Sequence, residues 1–253
     1  MSKTAQDPTH PEGALALAIG LVSYLIFLGT FLYQIGFVSN LWVPKGIDGG
    51  ATTSLPYALG VNLALLSLFA IQHTIMARDA FKAVWTQKIP GAIERSVFVL
   101  VTSLLLLLIN WQWVPLPDTV WNITGAGAMV LHGVCALGWV IVLLSTFLIN
   151  HFDLFGLRQV WLAFRGEQYT AVPFKEGHVY SWVRHPIMLG FIIAFWAAPH
   201  MTEGRLLFAV VTTLYILVGV RLEEITLQAS LGDHYRDYRK RVSMIVPWPP
   251  RAK

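Results

Sequence analysis

The chain has 253 residues, 55% of them hydrophobic and only 13% charged, with a mean hydropathy of +0.58; a soluble domain carries about 25% charged residues, so the composition argues against a water-soluble fold. The net charge of +4 and pI of 9.3 would fit a nucleic-acid binder only if the basic residues clustered on a soluble surface, and here they are sorted into loops. A single cysteine, Cys135, sits inside an apolar run, which rules out an intrachain disulfide and a cysteine-based metal cluster, and no metal site is expected.

In chain order, the start MSKTAQDPTHPEG lacks the basic region and cleavage site of a signal peptide, so Gly13 onward is expected to be a retained membrane helix. No charge interrupts Gly13 to Val38, which is long enough for a first span. The turn-rich VPKGIDGGATTSLP leads to a second span over Tyr57 to Met76. A third is expected over Ser96 to Val114 and a fourth over Ala126 to Ile149, each bounded by Pro, Gly or Asp. Asn150 to Arg184 mixes charges, aromatics and glycines and is longer than an ordinary helix connection, as functional loops often are. Two short apolar runs follow, Pro186 to Pro199 and Leu206 to Val220, read as a tight or re-entrant hairpin or as two spans extended by their flanks. The expected fold class is therefore all-α: a polytopic membrane helix bundle of about six transmembrane helices, the last two a short hairpin, with a helical tail. It forms one integral membrane domain, 1–253, with a four-span bundle over 1–149 and the loop, hairpin and tail over 150–253.

Loop charges orient such a bundle. Six spans put Lys3, Arg78, Lys82, Lys88, Arg95, Arg158, Arg165, Lys175, Arg184 and the tail's basic residues, including Arg251 and Lys253, on one side. The opposite side carries only Lys45 and Arg205. The positive-inside rule then places both termini, the long Asn150 loop and the tail in the cytoplasm. Trp42, Trp111, Trp113 and Trp121 lie near span ends and read as an interfacial belt. His73 and His132 fall within spans and read as neutral packing residues.

The polar groups of interest gather at the end of the chain. In YSWVRHPIMLG, Pro186 suits the first turn of a helix, so Arg184 and His185 stand at its mouth, where anionic groups are favoured. RLEEITL sets Glu223 and Glu224 directly after an apolar run. If the two helices are antiparallel, the cationic and acidic pairs meet. Each piece alone also fits snorkelling to headgroups, but two adjacent carboxylates at an apolar boundary repel each other, which cation or hydroxyl binding would explain. In the tail, LGDHYRDYRKRV interleaves Tyr235 and Tyr238 with Arg236, Arg239, Lys240 and Arg241; a helix lying on anionic lipid and a lid over a pocket fit it equally.

RHPIMLG, the Glu223-Glu224 pair, LGDHYRDYRKRV and the closing Pro247 together resemble the C-terminal signature of the isoprenylcysteine carboxyl methyltransferase superfamily. NHFDLFGLRQVWL at Asn150 to Leu162 and the run of spans look most like its bacterial methanethiol S-methyltransferase and NnrU-like members. Two departures stand out: Met188 replaces the tyrosine of the Arg-His-Pro motif, and Ser243 to Val246 lengthen the approach to the proline. The resemblance implies an S-adenosylmethionine site at the cytoplasmic end of the last two helices, built from Tyr180, Arg184, His185, Gly190, Glu223, Glu224 and Tyr235. Arg184 and His185 would take the carboxylate of the cofactor, the two glutamates its ammonium and ribose hydroxyls, and Phe191 or Phe195 its adenine.

The implied reaction is methylation of a small thiol, methanethiol to dimethyl sulfide. Because the thiol reacts as thiolate, a proton acceptor helps, and His151, Asp153 and His185 are the candidates. The expected partners are the thiol and the bilayer, with no nucleic acid and no obligatory protein. Two other readings stay open on the residues alone: a prenylcysteine carboxyl or phospholipid methyltransferase, and a non-enzymatic transport or assembly protein.

Overall fold

In the computed structural model, which describes residues 11–247, helices follow the apolar runs closely. The first four long ones are α1 (Pro11–Ser39), α2 (Leu55–Met76), α4 (Gly91–Gln112) and α5 (Ala126–Ile149), with a short α3 (Asp79–Trp85) between α2 and α4. The connection after α5 is structured: α6 (His151–Leu154), α7 (Leu157–Phe164) and a 3-10 turn at His178–Ser181. Then come α8 (Pro186–Trp196), α9 (Glu203–Leu231) and α10 (Asp233–Arg241). Two strands not expected from the sequence, β1 (Thr119–Asn122) and β2 (His200–Thr202), pair antiparallel with Trp121 opposite Met201. Lys3, Arg251 and Lys253 lie outside the described residues.

The bundle is all-α apart from that ribbon, and among the described residues five helices are long and apolar enough to cross a bilayer. The last two apolar runs differ from each other. The 11 residues of α8 rise only about 16 Å, half of a hydrocarbon core of about 30 Å. The 29 residues of α9 rise about 43 Å. Leu206 to Val220 is thus the middle of a long helix whose polar ends hid its length. Thr202 caps its start, its hydroxyl accepting from the Arg205 N–H at 3.2 Å.

Chain contacts divide the molecule into two units, each of which draws on several segments. One takes in residues up to Gln34, Ser67–Ile109 and Asn150–Pro173. Its core sets Met76, Phe98 and Val99 against Phe27, Phe81 and Phe155, with the Phe27 and Phe155 rings stacked at 3.8 Å. Arg95 Nε donates to the Leu154 carbonyl at 2.7 Å. Gly156, at φ 88°, comes so close to Ser96 that a Cβ would lie 2.6 Å from its Oγ.

The other unit takes in Ile35–Leu66, Asn110–Ile149 and the residues from Phe174 on. Here α8 lies against α5 at a glycine contact: a Cβ on Gly190 would stand 2.6 Å from the Gly138 carbonyl oxygen. Gly190 therefore serves the close packing of α8 on α5. Trp113 is also corrected: it is 1% exposed and wedged between Phe37 and Phe208, whereas Trp42 and Trp111 are exposed as an interfacial belt requires. Arg205, counted as a loop cation, is buried with its Nε 2.7 Å from Asp48, which also accepts from the Thr202 hydroxyl at 2.6 Å.

Candidate active site

Everything around the Arg-His-Pro segment is held by backbone pairing between chain regions far apart in sequence. Val183 forms a parallel bridge with Ser243. The Arg184 N–H donates to the Ser243 carbonyl at 2.8 Å, and the His185 N–H to the Met244 carbonyl at 3.1 Å. The residues that lengthen the family pattern are the ones that make these bonds, and Ile245 beyond them is buried with Ile216 and Val220. Met188, in place of the family tyrosine, packs into that same apolar cluster.

Pro186 opens α8 and leaves Arg184 and His185 facing α9. Arg184 Nε and Nη2 both reach Glu224 Oε1 at 2.6 Å. Its Nη1 donates to the carbonyls of Val242 and Arg239. His185 stands between the two acids, with Nε2 3.3 Å from Glu224 and Nδ1 3.5 Å from Glu223. Arg239 Nε closes on the other Glu224 oxygen at 3.4 Å. The Arg184 and Glu224 side chains are 8% and 6% exposed, while that of Glu223 is 51% exposed. Arg184 is thus partnered inside the protein and clasps the tail, and Glu223 is the exposed carboxylate of the cluster.

The tail helix packs on protein. Tyr235 and Tyr238 of α10 are both 1% exposed, with the Phe174 ring edge-on to each and Leu227 and Leu231 of α9 beneath. The Tyr238 hydroxyl donates to the Tyr180 carbonyl at 2.5 Å, and the Tyr180 hydroxyl to the Ser145 carbonyl at 3.2 Å. Burial, then the Glu224 charge, pushes the Tyr235 phenol above its ordinary value; burial, then Glu223, does the same to Tyr180. All three tyrosines are therefore neutral at physiological pH. Tyr238 is pushed up to about 12 by burial and then by Glu176, whereas the unfolded phenol ionises near about 10. The stabilisation it confers is complete below pH 10 and lost as the pH rises through the folded value. Tyr238→Phe should cost about 1–2 kcal/mol by leaving the Tyr180 carbonyl unpaired. It should speed hydrogen exchange across α10 and flatten the stability profile above pH 10; unchanged exchange would mean that this bond does not hold the tail.

The other expected residues belong to the first unit. His151 is buried, its Nε2 2.9 Å from the Tyr24 hydroxyl, and burial pulls its pKa below the usual imidazole value. Asp153 is paired with Arg158 at 2.9 Å and accepts from the Tyr169 hydroxyl at 3.3 Å. Both have structural employment in their own unit. Phe191 and Phe195 stack on one another at 5.7 Å and meet Trp139 edge-on. Sequence reasoning missed Phe174 and Arg239 as parts of the site. Phe174 stands in a segment without periodicity, and Arg239 was one cation of a basic run, with nothing to mark it as the one facing Glu224.

The site and the fold define an integral membrane protein whose polar chemistry is gathered at the start of α8. The family model for NnrU protein matches residues 62–246, and the chain belongs to that family. It is 52% identical over 94% of its length to a Mycobacterium tuberculosis protein named methanethiol S-methyltransferase, covering 98% of that protein. It is 53% identical to methanethiol S-methyltransferase 2 of Bradyrhizobium diazoefficiens, over 91% of this chain and 89% of that one. A more distant relative is the Xenopus laevis protein named Nurim, 26% identical over 87% of this chain and 84% of the relative. No solved structure matches the chain.

Proposed function

We propose that this protein is a membrane methyltransferase that moves a methyl group from S-adenosylmethionine to the sulfur of methanethiol, giving dimethyl sulfide. The observation that carries the reading is the buried Arg184–Glu224 pair with His185 beside it and Glu223 exposed, in a chain about half identical to proteins of that name. The donor set suits the proposed co-substrate. Glu223 accepts from an ammonium or ribose hydroxyls, and the first turn of α8 presents backbone N–H groups that lack helical acceptors.

The step is an in-line displacement: the acceptor sulfur bonds to the methyl carbon, the sulfonium C–S bond breaks, and S-adenosylhomocysteine leaves as a neutral thioether. The donor supplies the activated methyl group. The chain's own residues orient the two sulfurs and exclude water. His185, held between two carboxylates, is our proton acceptor for the thiol. The excess of basic residues in the loops on that side supports a cytoplasmic setting for the face bearing the cluster.

The deciding experiment incubates the purified protein with S-adenosylmethionine and methanethiol and assays headspace dimethyl sulfide. Product is expected, and no product with folding confirmed would overturn the reading. His185→Gln should lower kcat by about 100-fold, and the loss should shrink as the pH is raised towards the pKa of the thiol. A loss that is independent of pH would remove His185 as the proton acceptor.

A further inference from the structure

From Val242 to Pro247 the chain carries no ionisable side chain, yet the charged cluster is built on its main chain. Three consecutive carbonyls, those of Val242, Ser243 and Met244, accept from the Arg184 guanidinium, the Arg184 N–H and the His185 N–H. The pairing of Val183 with Ser243 is an isolated bridge, too little by itself to offset the entropy of ordering the segment. The anchor is Ile245. It is 6% exposed and shares one apolar cluster with Ile216 and Val220 of α9, against which Met188, Leu189 and Ile192 of α8 also pack.

On both helices this cluster lies one turn from the charged groups. Glu224 follows Val220 by four residues on α9, which stacks the two on one face about 6 Å apart along the axis. On α8 the Leu189 N–H donates to the His185 carbonyl at 3.1 Å, the first bond of the helix. Ile245 therefore joins α8 to α9 one turn inward from the place where His185 stands 3.3 Å from Glu224 and 3.5 Å from Glu223. We propose that Ile245 is a positioning residue: it spaces α8 from α9, docks the main chain of 242–244, and so sets the gap across which His185 meets the two acids. A close-packed interior passes a change of one methyl group on to its neighbours, and hydrogen bonds weaken steeply with misalignment. A cavity at Ile245 is thus read out at the imidazole. The role of His185 as proton acceptor rests on the proposed function; the docking of the segment does not.

The test is a volume series at one position in the full-length protein in detergent, with a control cavity elsewhere. Ile245→Val should lower kcat per folded protein about threefold and Ile245→Ala about 30-fold. Ile245→Leu, which keeps the volume, should stay within about twofold of the natural rate. Val99→Ala is the control. Val99 is 5% exposed in the core of the other unit, so its truncation should lower Tm at least as much as Ile245→Val does and change kcat by less than about twofold. The second readout needs no donor and no turnover. Hydrogen exchange of the peptide carrying the Arg184 and His185 amides should be about tenfold faster in Ile245→Val and unchanged in Val99→Ala. Unchanged exchange in Ile245→Val, or a loss of kcat shared equally by Val99→Ala, overturns the proposal. The mild Ile245→Val variant decides even if Ile245→Ala fails to fold. Lack of dimethyl sulfide from the natural protein would strike the transfer reading alone, because exchange still decides whether Ile245 docks the segment.

Discussion

Glu224→Ala is expected to abolish binding of S-adenosylmethionine and to destabilise the protein by about 3–5 kcal/mol, the cost of leaving one member of a buried ion pair alone. The geometry makes this a severe case. Both Arg184 contacts to the acid fall on one oxygen at 2.6 Å, Arg239 reaches the other, and Arg184 also holds the carbonyls of Val242 and Arg239. Loss of the carboxylate strands a buried guanidinium and loosens the tail together. The double variant Arg184→Met with Glu224→Leu should recover much of the stability, because apolar replacement of a buried pair is often nearly neutral. It should recover no donor binding. Thermal unfolding in detergent and calorimetric titration with the donor separate the two effects. A single variant that melts like the natural protein would show that the pair is not formed, and unchanged donor affinity in both variants would move the site elsewhere.

Gly190→Ala should be nearly as damaging although it adds one methyl. Its Cβ would stand 2.6 Å from the Gly138 carbonyl oxygen and 2.9 Å from the Val142 nitrogen, and backbone cannot swing aside as a side chain can. Overpacking of this kind costs about 1–3 kcal/mol. The helix that must move carries Arg184 and His185 at its mouth, so the displacement should lower the transfer rate by about 10- to 100-fold. Gly133→Ala on α5 is the control: open space surrounds that position, and alanine favours helix over glycine by about 1 kcal/mol. It should leave the rate unchanged and raise the melting temperature slightly. Equal rates for the two variants would show that the α5–α8 contact does not set the geometry of the site.

How far the sequence led differs from residue to residue. The four long helices through α5 were legible because an uninterrupted apolar run is a local property of the chain. The meeting of Arg184 and His185 with Glu223 and Glu224 was also within reach, since proline at a helix start and an acidic pair after an apolar run point to one face of a bundle. The use of each side chain was not. That Arg184 clasps the tail was hidden because its acceptors, the carbonyls of Val242 and Arg239, arrive from more than fifty residues away. Gly190 sits in the motif but meets Gly138, a contact that no spacing within the motif reveals.

The 13% charge and the basic excess by themselves determined that this is a membrane protein and which loops are basic, because transfer of apolar and charged groups between water and lipid depends on composition summed over short windows. Only the tertiary structure decided which of the scarce charges are buried partners and which is presented. It also decided that α8 stops halfway, that Trp113 is core and that Tyr235 and Tyr238 face protein instead of lipid. Those outcomes depend on which segments pack together, and a charge or an aromatic ring takes its energy from the partner that the fold delivers to it.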